Sequence, residues 1–148
     1  KQGAYVDLWM SDSAAINVSI RLPARYSYSI VSAGVHPAGA GAGWQYGLGF
    51  GFHAPLSERL DGEIDDTVFG VQSGFATLEM PSLLNVTRIM LGVRIARRFA
   101  VFFGMTFNMQ WGFKQDEDPV RPGFDLGSAS MPIPHWRLWP GFAFGMTI

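Results

Sequence analysis

The sequence predicts an all-β chain, an eight-stranded antiparallel up-and-down barrel, and three observations carry that expectation. Apolar side chains recur at every second position along several long segments. The connections between those segments alternate between short and long. Glycine and aromatic residues are both abundant, at 18 glycines and 14% aromatics in 148 residues. A period of two puts successive side chains on opposite faces of a strand, whereas a helix would spread the same residues around its circumference.

In chain order, Gly3–Met10, Ile16–Leu22 and Arg25–Ala33 are the N-terminal candidate strands. Trp44–Ala54 shows the period openly, with Trp44, Tyr46, Leu48, Phe50, Phe52 and Ala54 on one face and Gln45, Gly47, Gly49, Gly51 and His53 on the other. In Leu60–Val71, Leu60, Ile64 and Val68 face away from Asp61, Glu63, Asp65 and Thr67. In Val86–Ala96, Ile89, Leu91, Val93 and Ile95 oppose Arg88, Met90, Gly92, Arg94 and Ala96. Phe99–Phe113 alternates throughout: Phe99, Val101, Phe103, Met105, Phe107, Met109, Trp111 and Phe113 share one face. At roughly 3.3 Å per residue it reaches about 50 Å, long for a soluble strand and reasonable for one that crosses a bilayer at a tilt. The C-terminal strand sets Leu138, Phe142, Phe144, Met146 and Ile148 against Arg137, Gly141, Ala143, Gly145 and Thr147.

The connections are Ser11–Ala15, Pro23-Ala24, Gly34–Gly43, Pro55–Arg59, Ser73–Asn85, Arg97-Arg98 and Lys114–His135. Short turns at one end and long loops at the other describe a meander whose last strand returns beside its first, closing the sheet and removing its edges. Lys1–Ile148 is read as one domain.

Composition narrows the function. Charged residues make up 16% of the chain, against roughly 25% in an ordinary soluble domain. Eleven basic and twelve acidic residues nearly cancel, so nucleic-acid binding has no electrostatic support and is not expected. There is no cysteine, hence no disulfide framework and no thiolate chemistry. No apolar run approaches the length of a transmembrane helix. The chain opens at Lys1-Gln2-Gly3 without a charged and apolar leader, so any export signal is expected to have been removed or omitted.

A closed eight-stranded sheet can bury either face. A soluble ligand-binding barrel turns its apolar side chains inward; a membrane barrel turns them out, because its backbone is satisfied by pairing and its exterior must match hydrocarbon. Here the apolar face carries bulky Phe, Met and Trp, and the other carries glycine, small polar residues and charges. A narrow lumen accommodates the second set far better. The expected fold is therefore a transmembrane β-barrel. Trp9, Trp44, Tyr46, Trp111 and Trp136 form its expected aromatic belt at one rim, with Tyr26, Tyr28 and Phe99 near the other. Strict parity turns Trp9 and Trp139 inward, and a bulge at Pro140 is an expected way to shift the register of Trp136 and Trp139.

In these features the chain resembles the small outer-membrane β-barrels of Gram-negative bacteria, of the OmpA/OmpX type. The features are the Gly-rich strand Tyr46–Phe52, the turn Pro55–Arg59, the long strand after Arg97-Arg98 and the terminal run Phe142–Ile148. The resemblance is architectural and spans essentially the whole chain. It implies a bacterial outer-membrane location, contact with lipid and lipopolysaccharide, and a C-terminal insertion signal on Phe142, Phe144, Met146 and Ile148, with Ile148 in place of the usual terminal Phe.

The candidate site is the lumen. Asp7, Asp61, Glu63 and Asp65 face inward with Arg21, Arg88, Arg94 and Arg137, and the neighbouring positions of Asp61, Glu63 and Asp65 to Arg88 and Arg94 predict cross-strand ion pairs. These are expected to plug the lumen, and Arg94→Ala is expected to lose thermal stability without opening a large pore. The rival is a narrow path lined by both signs. His36 in a loop, His53 at an inward position and His135 at the rim are scattered, so no metal site is expected. Asp116–Asp118 reads as a solvated acidic segment. No Ser–His constellation is evident beyond an unmotivated His135 with Ser128 or Ser130, so an enzyme such as a lipid A deacylase or acyltransferase is not expected, nor any cofactor. Gly39–Gly43 reads as a flexible loop tip. The loop Lys114–His135 is the expected contact for other envelope proteins.

Overall fold

The structure, a computed structural model, describes residues 4–12, 15–38, 41–72, 74–76, 80, 82–113, 127–129 and 135–148. It contains strands β1 (Tyr5–Ser11), β2 (Ile16–Pro23), β3 (Ser27–Ala38), β4 (Gly41–Pro55), β5 (Leu60–Val71), β6 (Ser82–Ala96), β7 (Phe99–Gly112), β8 (Gly127–Ala129) and β9 (His135–Thr147). Consecutive strands pair antiparallel from β1 to β7, β7 pairs with β9, and β9 pairs with β1. The ring is therefore an eight-stranded up-and-down barrel. The short β8 pairs with β9 over Trp136–Leu138, while β1 pairs with the same strand over Ala143–Thr147.

Short turns gather at one end. Ala24 N donates to Ser27 O at 2.7 Å, Leu56 N to Leu60 O at 2.8 Å, and Arg97-Arg98 close β6 onto β7 beside a register shift at Arg94/Ala96. Both described chain ends lie on the same side, tied by Val6 N to Ile148 O at 3.0 Å.

Three boundaries differ from expectation. The segment read as the loop Gly34–Gly43 is mostly sheet: β3 runs on to Ala38 and β4 starts at Gly41. His36, expected in that loop, is a buried strand residue whose Nε2 lies 2.9 Å from Gln72 O. Gly43, expected at a flexible tip, packs so closely that an added Cβ would lie 2.3 Å from Gln72 O. β6 begins at Ser82 rather than Val86, so Leu84 joins the barrel wall one inward position before Val86. Asp116–Asp118 lie outside the described residues, as do Ser130 and the side chains of Ser128 and His135.

Alternation decides the two faces. Leu48, Phe50, Phe103, Met105, Phe142 and Phe144 are all more than half exposed on the outside. Inside, the glycine stripe of β4 makes room for large neighbours: a Cβ on Gly47 would sit 2.6 Å from the Phe69 ring, and one on Gly51 would sit 2.5 Å from that of Tyr28. The expected register shift at Pro140 does not occur. β9 pairs continuously with β7 through Pro140↔Phe107. Pro140 lies between the stretches of β9 that pair with β8 and with β1, where a missing N–H costs least pairing.

One aromatic assignment is corrected by the same parity. Trp9, expected in the belt, is 2% exposed inside the barrel and donates from Nε1 to Ser19 Oγ at 2.8 Å. Tyr28 lies toward the short-turn end and turns its side chain into the barrel, where it is buried. Trp44, Tyr46 and Trp136 are exposed on the outer wall, and Trp111 is half-buried opposite Trp136. Phe142, Phe144, Met146 and Ile148 all lie on the outer side of the last strand or just beyond it.

Candidate functional site: the charged half of the barrel interior

Inward residues change character along the barrel. On β5, the half near the short turns supplies Asp61, Glu63 and Asp65, and the other half supplies Thr67, Phe69 and Val71. On β6 the order is mirrored, from Ser82, Leu84 and Val86 to Arg88, Met90 and Arg94. Antiparallel pairing thus stacks charge beside charge at one end. Trp9, Phe69, Val71, Leu84, Val86 and Trp139 belong to an enclosed apolar cluster further along.

Arg88 and Asp65 face each other in the β5–β6 register and form a two-pronged pair, Nε to Oδ1 at 2.7 Å and Nη2 to Oδ2 at 2.8 Å. Both side chains are sealed, at 1% and 0% exposure. Tyr28 Oη donates to Asp65 Oδ2 at 3.0 Å, and the Arg88 guanidinium lies 4.1 Å from the centre of the Trp9 ring. Fork geometry, a third donor and an aromatic face together compensate a carboxylate removed from water.

Arg21 bridges the lumen. Its Nε donates to Asp7 on the neighbouring β1, while Nη1 donates across the interior to Glu63 Oε2 on β5 at 2.6 Å. Asp7 also accepts from Thr147 Oγ1 at 2.7 Å, so β1, β2, β5 and β9 meet at one charge cluster. Glu63 was expected to pair with an arginine on β6. Its partner instead lies across the barrel, because β6 presents Met90 opposite Glu63.

Arg94 reaches Asp61 at 3.0 Å, yet its side chain is 51% exposed. The expected cost of Arg94→Ala is revised accordingly: this is a solvated rim pair, and the sealed pair is Asp65–Arg88. Arg137 falls opposite the inward Gln110 on β7, toward the long-connection end and apart from this cluster. At the short-turn end the interior opens into a cavity of about 380 Å³ lined by Arg21, Tyr28, His53, Glu63, Arg94 and Arg98, among others. His53 stacks on Tyr28 there, ring centres 6.4 Å apart.

Sequence reasoning missed Tyr28 as part of the charge network, because both faces of β3 mix apolar and small polar residues and so leave its parity unmarked. It also left out a polar group on the outside: Asp66 on β5 accepts from Asn85 Nδ2 at 2.9 and 3.0 Å and from Thr87 Oγ1 at 2.6 Å.

Compared with protein-family models and with curated proteins, the sequence matches none, so the eight-stranded closed barrel and its inner charge network are the ground for any functional reading.

Proposed function

We propose that this chain is an integral outer-membrane β-barrel of the small OmpA/OmpX kind, its lumen closed by its own side chains, acting without catalysis as a structural or surface-display barrel or as a membrane subunit docked to other envelope proteins. The supporting observation is the distribution of polarity: all eight strands of the ring turn large apolar side chains outward, while Asp7, Arg21, Glu63, Asp65 and Arg88 face inward. Water would favour the opposite arrangement, since charged groups are the last to be buried and bulky aromatics the first. Hydrocarbon favours this one.

The paired charges and the apolar cluster beyond them support a closed lumen. The cavity at the short-turn end favours the second reading, a small pore, because it opens the barrel interior beside Glu63 and the solvated Arg94. Two measurements separate these readings. Detergent-folded protein should show a β circular-dichroism spectrum and migrate differently on SDS gels before and after boiling; a monomer soluble without detergent would sink the membrane reading. In planar bilayers the barrel should conduct little, and a large stable conductance would select the pore. Unchanged lipid A by mass spectrometry, with and without the protein, accords with a non-enzymatic barrel.

A further inference from the structure

The cavity at the short-turn end is a chamber inside the ring rather than a dimple on its surface: every strand of the ring contributes to its wall, from Tyr5 on β1 to Thr147 on β9. Its volume of about 380 Å³ falls within the usual span of small-molecule sites, roughly 300–1,000 Å³. Further along the barrel, Trp9, Phe69 and Trp139 fill the section, so whatever occupies the chamber enters from the short-turn end.

The charges around it are unevenly matched. Arg21 holds Asp7 and Glu63, and Arg94 holds Asp61. Arg97 and Arg98, in the turn that closes β6 onto β7, line the same cavity and are exposed. Among the described residues their guanidinium groups make no ion pair. Two neighbouring forks thus stand open to an oxyanion, and Arg94 spends only Nη2 on Asp61. Deeper in the wall, Arg21 is 5% exposed; its Nε and Nη1 are engaged, while Nη2 is buried without an acceptor. A sealed donor left unanswered calls for a partner that the chain itself does not supply. Glu63 adds carboxylate oxygens to the wall, and Tyr28 stacked on His53 adds aromatic surface.

We propose that this chamber binds a small organic phosphate monoester with a hydroxylated body, a sugar phosphate in chemical class. The phosphate sits at the mouth beside Arg97, Arg98 and Arg94, since its charge of about −1.5 to −2 at pH 7 matches two unpaired guanidinium groups. The body extends inward, where hydroxyls donate to spare lone pairs of Glu63 and accept from Arg21 Nη2 after a small turn of that guanidinium. Bare phosphate would leave most of the chamber unfilled, and a purely apolar body would leave Arg21 unanswered. A phospholipid headgroup is disfavoured because the wall is built by all strands of the ring, so its acyl chains would have to leave the membrane to bring phosphate there. The site stands on the cavity itself; that it faces the periplasm rests on the outer-membrane reading, in which short turns lie on that side.

The test uses the full chain folded in a maltoside detergent, which carries no phosphate, with binding followed by isothermal titration calorimetry. Glucose 1-phosphate should bind one to one, about fivefold or more tighter than inorganic phosphate or phenyl phosphate, and glucose alone should bind far more weakly. Arg97→Gln/Arg98→Gln should keep heat-modifiable migration and weaken glucose 1-phosphate binding about tenfold or more. The charge-matched control Arg25→Gln/Arg59→Gln, at the neighbouring short turns and outside the cavity wall, should bind like the unaltered chain. Equal losses in the two double variants would overturn the proposal. So would glucose 1-phosphate binding no tighter than any of the other three probes, or its displacement by phosphatidate added to the micelles. A detergent-dependent barrel that binds none of the probes overturns the site alone; a water-soluble chain that binds glucose 1-phosphate overturns the membrane reading alone.

Discussion

Asp65 and Arg88 carry more of the interior's stability than their number suggests, because neither has access to water once the barrel closes. Arg88→Ala strands a carboxylate whose remaining donor is Tyr28, and breaking a buried pair from one side costs about 3–5 kcal/mol. The double variant Asp65→Leu/Arg88→Met removes both charges at similar volume and should recover most of that loss. Arg94→Ala, at the solvated rim, should cost at most about 1 kcal/mol. Urea unfolding of the detergent-folded protein ranks the three; an Arg94→Ala loss as large as that of Arg88→Ala would contradict the sealed-pair account. Glycine offers a second comparison. A Cβ on Gly104 would meet the Ile89 carbonyl oxygen at 2.0 Å, a backbone atom that cannot step aside, whereas on Gly62 the nearest atom is the flexible end of Leu56 at 3.5 Å. Gly104→Ala should therefore destabilise by roughly 1–3 kcal/mol, with Gly62→Ala near neutral, as read by the same unfolding curves.

Strands differ in how firmly they are held. β7 meets β9 over Ala100–Gly112, while β1 meets β9 only over Asp7–Ser11. The β1–β9 seam is thus the weak line in the ring, held by that short ladder, the Asp7–Thr147 bond and the Val6–Ile148 bonds. Local opening follows the least-paired elements. Amide exchange in detergent should be faster across Tyr5–Ser11 than across β7, and slower exchange in β1 would show that the ladder lengths do not govern opening. Legibility from sequence tracks the contrast between faces. β4, β5 and β7 could be placed within a few residues because bulky apolar positions alternate there with glycine, acid or small residues. β3 was cut short at Ala33 because Gly34, Pro37 and the glycines from Gly39 onward read as turn chemistry. The sheet overrides that chemistry: Gly34 stands where a Cβ would lie 2.1 Å from Asn17 Oδ1, and Gly43 abuts Gln72, so both glycines serve close packing rather than a bend. Leu84 and Val86 were likewise missed as interior residues, since an apolar residue on the inner face breaks the alternation that would have revealed it.

The barrel as a body has an apolar exterior, a charged interior near the short turns and an apolar interior further along. That gradient predicts that destabilising the charged end, by Arg88→Ala or by removing Arg21, should lower thermal stability in detergent without producing a large conductance, because Trp9, Phe69 and Trp139 still fill the section beyond it. A wide, stable pore in either variant would show that the apolar cluster does not seal the barrel. The strand number of the ring, its antiparallel meander and the face that carries the bulky apolar residues were all legible along the chain, because side-chain alternation is a local property. Which groups meet across the lumen was decided only when the ring closed. Arg21 and Glu63 are 42 positions apart and on strands that never pair, so nothing in their spacing links them. The same holds for Trp9 over Arg88 and for Tyr28 on Asp65. Each depends on curvature and register bringing distant strands to one depth, and those are properties of the closed sheet rather than of any segment within it.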